Sequence, residues 1–246
     1  MSAGSEVAVP GILAVVRAAR ALPVPERAHL AARLSSAPWS RVAGALALEG
    51  SALLDVGCGP GLLAHLLDGL GYAGTYLGVD PDERKVERAR AWVGESPRRT
   101  FRTGGIECVA ERAFDQAVIV DVLYLVPRPE RAALVAEAAS RLRPGGRLVV
   151  LTSGGGPRWK RFLDRMQERL AVAVVGMTRG AVVEPCDGAE VARLLLGAGL
   201  ADVRIEAVGA GYLHGFELVT GRHNGVSGHN PLARPPGLGD RNFDFD

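Results

Sequence analysis

The chain has 246 residues, 48% of them hydrophobic, enough for one large domain with a sizeable core and too apolar for a disordered polymer. Its 29 basic and 27 acidic residues are intermixed and leave a formal net charge of +2, which excludes the one-sided basic block of a nucleic-acid binder. Cys58, Cys108 and Cys186 stand far apart with no CxxC or Cys/His cluster, which excludes a disulfide scaffold and a zinc knuckle, and no metal site is expected.

In chain order, residues 1–48 predict an N-terminal helical extension. "GILAVVRAARAL" and "ERAHLAARLSSAPWSRVAGAL" are rich in Ala, Leu and Arg, with Pro23, Pro25 and Pro38 as punctuation. "GILAVV" is too short and wrongly flanked for a secretory signal, and no run approaches the ~18 apolar residues of a membrane span. A soluble, cytoplasmic protein is the expectation. From Ser51 the texture changes: "ALLDVG", "TYLGVD", "QAVIVDVL" and "GRLVVLT" alternate with the helical patterns "GLLAHLLDGLG", "PDERKVERARAWVG" and "PERAALVAEAASRL". That alternation predicts an α/β fold built of βαβ units, whose parallel strands, buried on both faces, read as continuous hydrophobics. "DGAEVARLLLGAGL" adds a helix with Asp187 as N-cap, and "DVRIEAV" and "FELVTG" add two strands. The seven residues "GAGYLHG" between them are too few for a parallel crossover, so the last strand is expected to run antiparallel. The Gly-, Pro- and Asn-rich residues 222–246 predict a disordered tail.

The chemistry concentrates in "LLDVGCGPGLLAHLL". Leu53 to Val56 read as the first strand and Leu62 to Leu70 as the helix after it, so the glycines fill the strand-to-helix turn at the carboxyl end of the sheet, where open α/β sheets bind ligands. Gly57, Gly59 and Gly61 remove side chains that would block close approach, and their amides, with the helix N-terminus, are expected to offer donors to an anion. Asp80 ends the next strand about 20 residues on, the spacing at which an acidic residue reaches a ribose diol. An adenosine-containing cofactor follows. A dinucleotide reading puts Leu62 at the third glycine position when counted from Gly57, and gives G-P-G-L-L-A when counted from Gly59.

Taken whole, "LLDVGCGPG" resembles the signature of class I S-adenosylmethionine-dependent methyltransferases, and "FDQAVIVDVLYLVP" and "RLRPGGRLVV" are similar to that family's fourth strand with its exit loop and its fifth strand with the preceding turn. The resemblance implies a Rossmann-like, doubly wound sheet, mostly parallel with a final antiparallel strand and helices on both faces, over a methyltransferase domain at residues 49–221. It implies S-adenosyl-L-methionine as cofactor, with Gly57, Cys58, Gly59 and Gly61 lining its methionine part, Asp55 beneath it near the amino group, and Asp80, followed by Pro81, on the ribose hydroxyls. Asp121 to Tyr124 would then lie beside the transferable methyl, although Asp121 could equally cap the exit loop and Tyr124 pack against it. Gly105 stands where the family often places an acidic residue for adenine, so Glu107 or backbone groups would have to substitute.

An activated sulfonium methyl mainly needs alignment with its acceptor, and orientation can account for ~7–11 kcal/mol of barrier. A hydroxyl acceptor also benefits from a general base, for which His214, beside Tyr212 in the hairpin, is the candidate; a solvated turn histidine is the alternative. Residues 152–186 read as a helical insertion, in which Trp159, Phe162, Met166, Leu170 and Ala173 share one face. It would either lid an apolar acceptor pocket or dock on the sheet, and its basic residues leave peripheral membrane contact open. The exit loop lacks the prolines of a D-P-P-Y motif, and Pro185-Cys186 follows the fifth strand rather than the fourth, so nucleic acid is not the expected acceptor. A small or lipid-like molecule is, methylated at oxygen, carbon or nitrogen in that order of preference. An NAD(P)-linked oxidoreductase and a non-catalytic S-adenosylmethionine-binding module are the competing readings.

Overall fold

The computed structural model describes residues 37–155, 184–209 and 215–224. Strands β1 (Ala52–Val56), β2 (Thr75–Asp80), β3 (Arg99–Thr103), β4 (Phe114–Val120), β5 (Leu142–Gly155), β6 (Leu200–Ala207) and β7 (Gly215–His223) form one sheet in the order β3-β2-β1-β4-β5-β7-β6. The first five pair in parallel, and β7 is antiparallel to both its neighbours, so β6 again runs with the first five. The antiparallel strand is therefore internal and β6 is the edge.

Every second residue of the central strands faces the same side. Leu53, Val118, Val149 and Leu151 pack under helices α1 (Trp39–Ala45), α2 (Leu62–Gly69) and α3 (Glu83–Val93). Leu54, Ile119, Leu148 and Val150 pack under α4 (Arg128–Ser140) and α5 (Gly188–Gly197). Covering both faces is what permits hydrophobic residues at successive positions, as the sequence pattern required. Asp82 and Asp187 cap α3 and α5 by accepting the amides of Arg84 and Glu190 at 3.1 and 2.8 Å.

Two boundaries differ from the sequence reading. β5 continues through Gly155, with Thr152 and Ser153 paired to Glu217 and Phe216, so residues 152–155 belong to the sheet rather than to the insertion. Likewise Arg222 and His223 extend β7 opposite Arg147 and Leu200 instead of beginning the tail. In both places the ladder supplies backbone partners that local composition does not reveal. Of the N-terminal extension, α1 is described, tied to the sheet by Gln116, whose amide accepts from Ala47 N and donates to Ala47 O at 2.7 and 3.0 Å. The rest of residues 1–36, the insertion from 156 to 183 and the tail from 225 lie outside the described residues.

Candidate active site

β1 and β2 are in register as Asp55↔Gly78, which puts Asp55, Tyr76, Gly78 and Asp80 on one side of adjacent strands at their carboxyl ends. Asp55 is 2% exposed and Asp80 5% exposed. Tyr76 Oη donates to Asp55 Oδ2 at 2.5 Å. Burial pushes the Asp55 carboxyl up to about 7, against the lowering effect of the Tyr76 hydrogen bond and with a further raising contribution from Asp80. The same burial raises the Tyr76 hydroxyl well above its ordinary value. Tyr76 is a site residue that the sequence reading missed; only the register shows that it lies diagonally across from Asp55.

The glycine turn does less with its amides and more with its missing side chains than expected. Gly57 N and Cys58 N both donate to Val79 O, at 2.8 and 3.0 Å, Gly59 N donates to Asp80 Oδ2 at 2.9 Å, and Gly61 N donates to Cys58 O at 3.1 Å. The expectation that these amides stand ready for an anion is therefore corrected: the turn spends them on β2 and on itself. All three glycines have positive φ, and a Cβ on Gly57 would come within 2.4 Å of Val122 Cγ2, on Gly61 within 2.8 Å of Val93 Cγ2. A Cβ on Gly59 would meet nothing within 4 Å, so at that residue the turn borders open space. Cys58 points the other way: it fits against Gly78, where a Cβ would sit 2.9 Å from its Sγ, and burial pushes its thiol far above the ordinary range. Its role in the fold is packing.

Asp80 accepts twice, from Gly59 N and, through Oδ1, from Asp82 N at 2.9 Å, and each oxygen keeps lone-pair capacity; the following Pro81 is exposed. Among the described residues no cation forms an ion pair with Asp55 or Asp80. Two buried carboxylates beside open space, with the amides already bonded, make a place suited to a cationic group and unsuited to a pyrophosphate. In the exit loop Val122 packs against Gly57, and Asp121 takes φ 59 while its amide donates to Leu151 O at 3.1 Å. Tyr124 lies in the single turn Leu123–Leu125 and is half-buried. Gly105 follows β3 and leaves room for Glu107, which accepts from Gly105 N at 2.8 Å; a Cβ on Gly105 would collide with that carboxylate. His214 and Tyr212 lie outside the described residues, which do include the carboxyl end of β6 that the hairpin leaves, where Val208 N donates to Phe216 O at 2.9 Å.

The sequence reading also missed a clamp beside this rim. Arg131 of α4 is 0% exposed and donates to Val126 O at 3.0 Å, to Pro185 O at 3.2 Å, to Glu184 O at 2.5 Å and to Glu190 Oε1 at 2.9 Å. Arg128 completes the pairing to Glu190 at 2.7 Å, Glu184 N donates to Tyr124 O at 3.0 Å, and Thr152 Oγ1 donates to Cys186 O at 2.5 Å. Both chain ends bordering residues 156–183 are thus fastened at the carboxyl edge, next to the exit loop. Cys186 is fully buried with its thiol pushed up to about 11 by burial, a structural cysteine.

The profile of the methyltransferase domain family matches residues 53–146, which run from β1 into the turn before the long part of β5. The stretch from β1 to the start of β5 is thus similar to a methyltransferase domain, and the similar proteins below are methyltransferases. Over 138 residues the chain is 34% identical to a ubiquinone biosynthesis O-methyltransferase of Xanthomonas campestris pv. campestris (strain B100), covering 55% of this chain and 52% of that protein. The chain spans about half the length of the curated relatives it matches. Its fold is similar to that of the S-adenosylmethionine-dependent methyltransferase SibL in its apo form, with TM-score 0.62 and 18% identity over 90% of this chain and 71% of that one. It is also similar to the magnesium protoporphyrin IX methyltransferase of Synechocystis PCC 6803 with bound SAH, with TM-score 0.56 and 19% identity over 75% and 81%. Among the described residues no group of three His, Cys, Asp or Glu is placed to hold a metal, and no described helix is long and apolar enough to cross a membrane.

Proposed function

We propose that the chain binds S-adenosyl-L-methionine at the Gly57–Gly61 turn and transfers its methyl group by direct displacement to a hydroxyl of a small or lipid-like acceptor. The observation that carries this reading is the pair of buried carboxylates, without a cationic partner among the described residues, beside the open space at Gly59. The chemistry of the residues fits the cofactor: Asp80 has lone pairs for a ribose diol, the Asp55 carboxyl is the group we assign to the cationic amino group, and Glu107 the one we assign to adenine. When bound, the cofactor supplies an activated methyl on a sulfonium sulfur. The domain's part is to hold the carboxylates fixed through Tyr76 and the Gly59 and Asp82 amides and to present the acceptor from the side of Asp121 and Tyr124. The preference for oxygen, and for an acceptor with lipid-like character, draws on the ubiquinone biosynthesis O-methyltransferase relatives. His214 remains the proposed general base.

Calorimetry with S-adenosylmethionine and with NADH on wild type and Asp80→Ala tests the cofactor assignment. Binding of the first ligand alone, weakened at least tenfold by Asp80→Ala, is the expected result; unchanged affinity in the variant removes the ribose role. Incubation with labelled methyl donor and a panel of small and lipid-like hydroxyl acceptors then tests transfer to oxygen. Tight binding without label in any acceptor would leave the non-catalytic binding module instead.

A further inference from the structure

Toward the amino end of β5, away from the glycine turn at the carboxyl ends of the strands, the sheet carries a polar cavity of about 190 Å³ lined by Arg147, Asp202, Arg204, Thr220, Gly221 and Arg222. Arg147 and Arg222 are direct cross-strand partners on β5 and β7, and like charges so placed destabilise a sheet. Arg204 joins them because of a bulge. The β6–β7 register passes from Ala201↔Arg222 to Arg204↔Thr220, so β6 holds one residue more than β7 across that interval. Without the extra residue, Val203 would face Thr220 and Arg204 would turn to the opposite side of the sheet. The bulge also holds Asp202 at φ 50, a left-handed conformation that costs a non-glycine residue energy.

Three guanidinium groups are thus gathered on one side of three adjacent strands, around a threonine, by a strained bulge. Among the described residues no carboxylate forms an ion pair with Arg147, Arg204 or Arg222; Asp202 lines the cavity beyond ion-pair distance, and the nearby Glu206 is paired with Arg41 at 3.1 Å. Arg147 is held in place by donating to Ala45 O at 2.9 Å. A tetrahedral oxyanion answers each of these features: it neutralises the like charges, offers several acceptors to planar donors, and accepts from a hydroxyl. The cavity is several times the ~30 Å³ that one water occupies, so it has room for such a group.

We propose that Arg147, Arg204, Arg222 and Thr220 form a binding site for a phosphate group, distinct from the glycine turn and independent of the function assigned there. The test uses the full chain. Thermal unfolding and calorimetry are run with inorganic phosphate against chloride at matched ionic strength, so that general screening cancels. Phosphate is expected to bind and to raise the unfolding midpoint, and Arg204→Gln/Arg222→Gln to weaken that binding at least tenfold. Thr220→Val, which leaves all three charges in place, is expected to weaken it by a smaller factor. S-adenosylmethionine affinity should be unchanged in both variants, which shows them folded. Co-sedimentation with phosphatidylglycerol vesicles distinguishes the source: retention that inorganic phosphate displaces and the double variant loses assigns the group to a lipid headgroup, and no retention assigns it to a soluble phosphate. Equal response to phosphate and chloride, or a phosphate response that survives in Arg204→Gln/Arg222→Gln, overturns the site.

Discussion

Replacing Asp55 by Asn removes a buried carboxyl whose ionisation the fold resists, while keeping its shape and an acceptor for Tyr76. Below the ordinary value of 3.8 the carboxyl is neutral whether the chain is folded or not, and its preference for the folded state is fully present. As pH rises, the unfolded chain ionises first, and stability is lost until the folded carboxyl titrates near about 7. At ~1.4 kcal/mol per pH unit this interval corresponds to about 4 kcal/mol. Urea unfolding of wild type and Asp55→Asn at pH 4 and pH 8 measures it. The variant is expected to gain about 4 kcal/mol on wild type between the two pH values, and any fixed cost of burying the new amide cancels in that difference. A cationic ligand beside Asp55 recovers part of the same energy, so wild-type affinity for S-adenosylmethionine should rise with pH through about 7 and that of the variant should not. A stability gap that is the same at both pH values would refute the reasoning.

Tyr76→Phe withdraws the donor from Asp55 and should cost about 1–3 kcal/mol at neutral pH, moving the affinity inflection above about 7, as a pH series of calorimetric titrations would show. Gly57→Ala forces a Cβ against Val122 at a positive φ and should destabilise the fold by a few kcal/mol by chemical denaturation; adding Val122→Ala should restore only the part due to the collision. Arg131→Leu leaves the Glu184 and Pro185 carbonyls without their donor and Glu190 with Arg128 alone, and should cost about 3–5 kcal/mol in urea unfolding, with protease sensitivity rising near residues 184–187.

The alternation of apolar runs and helical patterns was enough to fix the class of fold, because a strand buried on both faces leaves a continuous hydrophobic trace that does not depend on its neighbours. The three glycines were legible for a similar local reason: a strand-to-helix turn with positive φ at three positions demands glycine wherever it occurs. The short hairpin announced the antiparallel strand, since no crossover fits its length. What the turn does with its amides was not legible. Whether Gly57, Cys58 and Gly59 keep them for a ligand depends on Val79 and Asp80 arriving alongside, and that pairing is a property of the sheet. Tyr76 against Asp55, Arg131 against Glu190, and Arg204 turned by its bulge toward Arg147 and Arg222 share this character. Each joins residues far apart in the chain, 21 positions for Tyr76 with Asp55 and 59 for Arg131 with Glu190, through register and packing, and no periodicity within one segment encodes such a meeting.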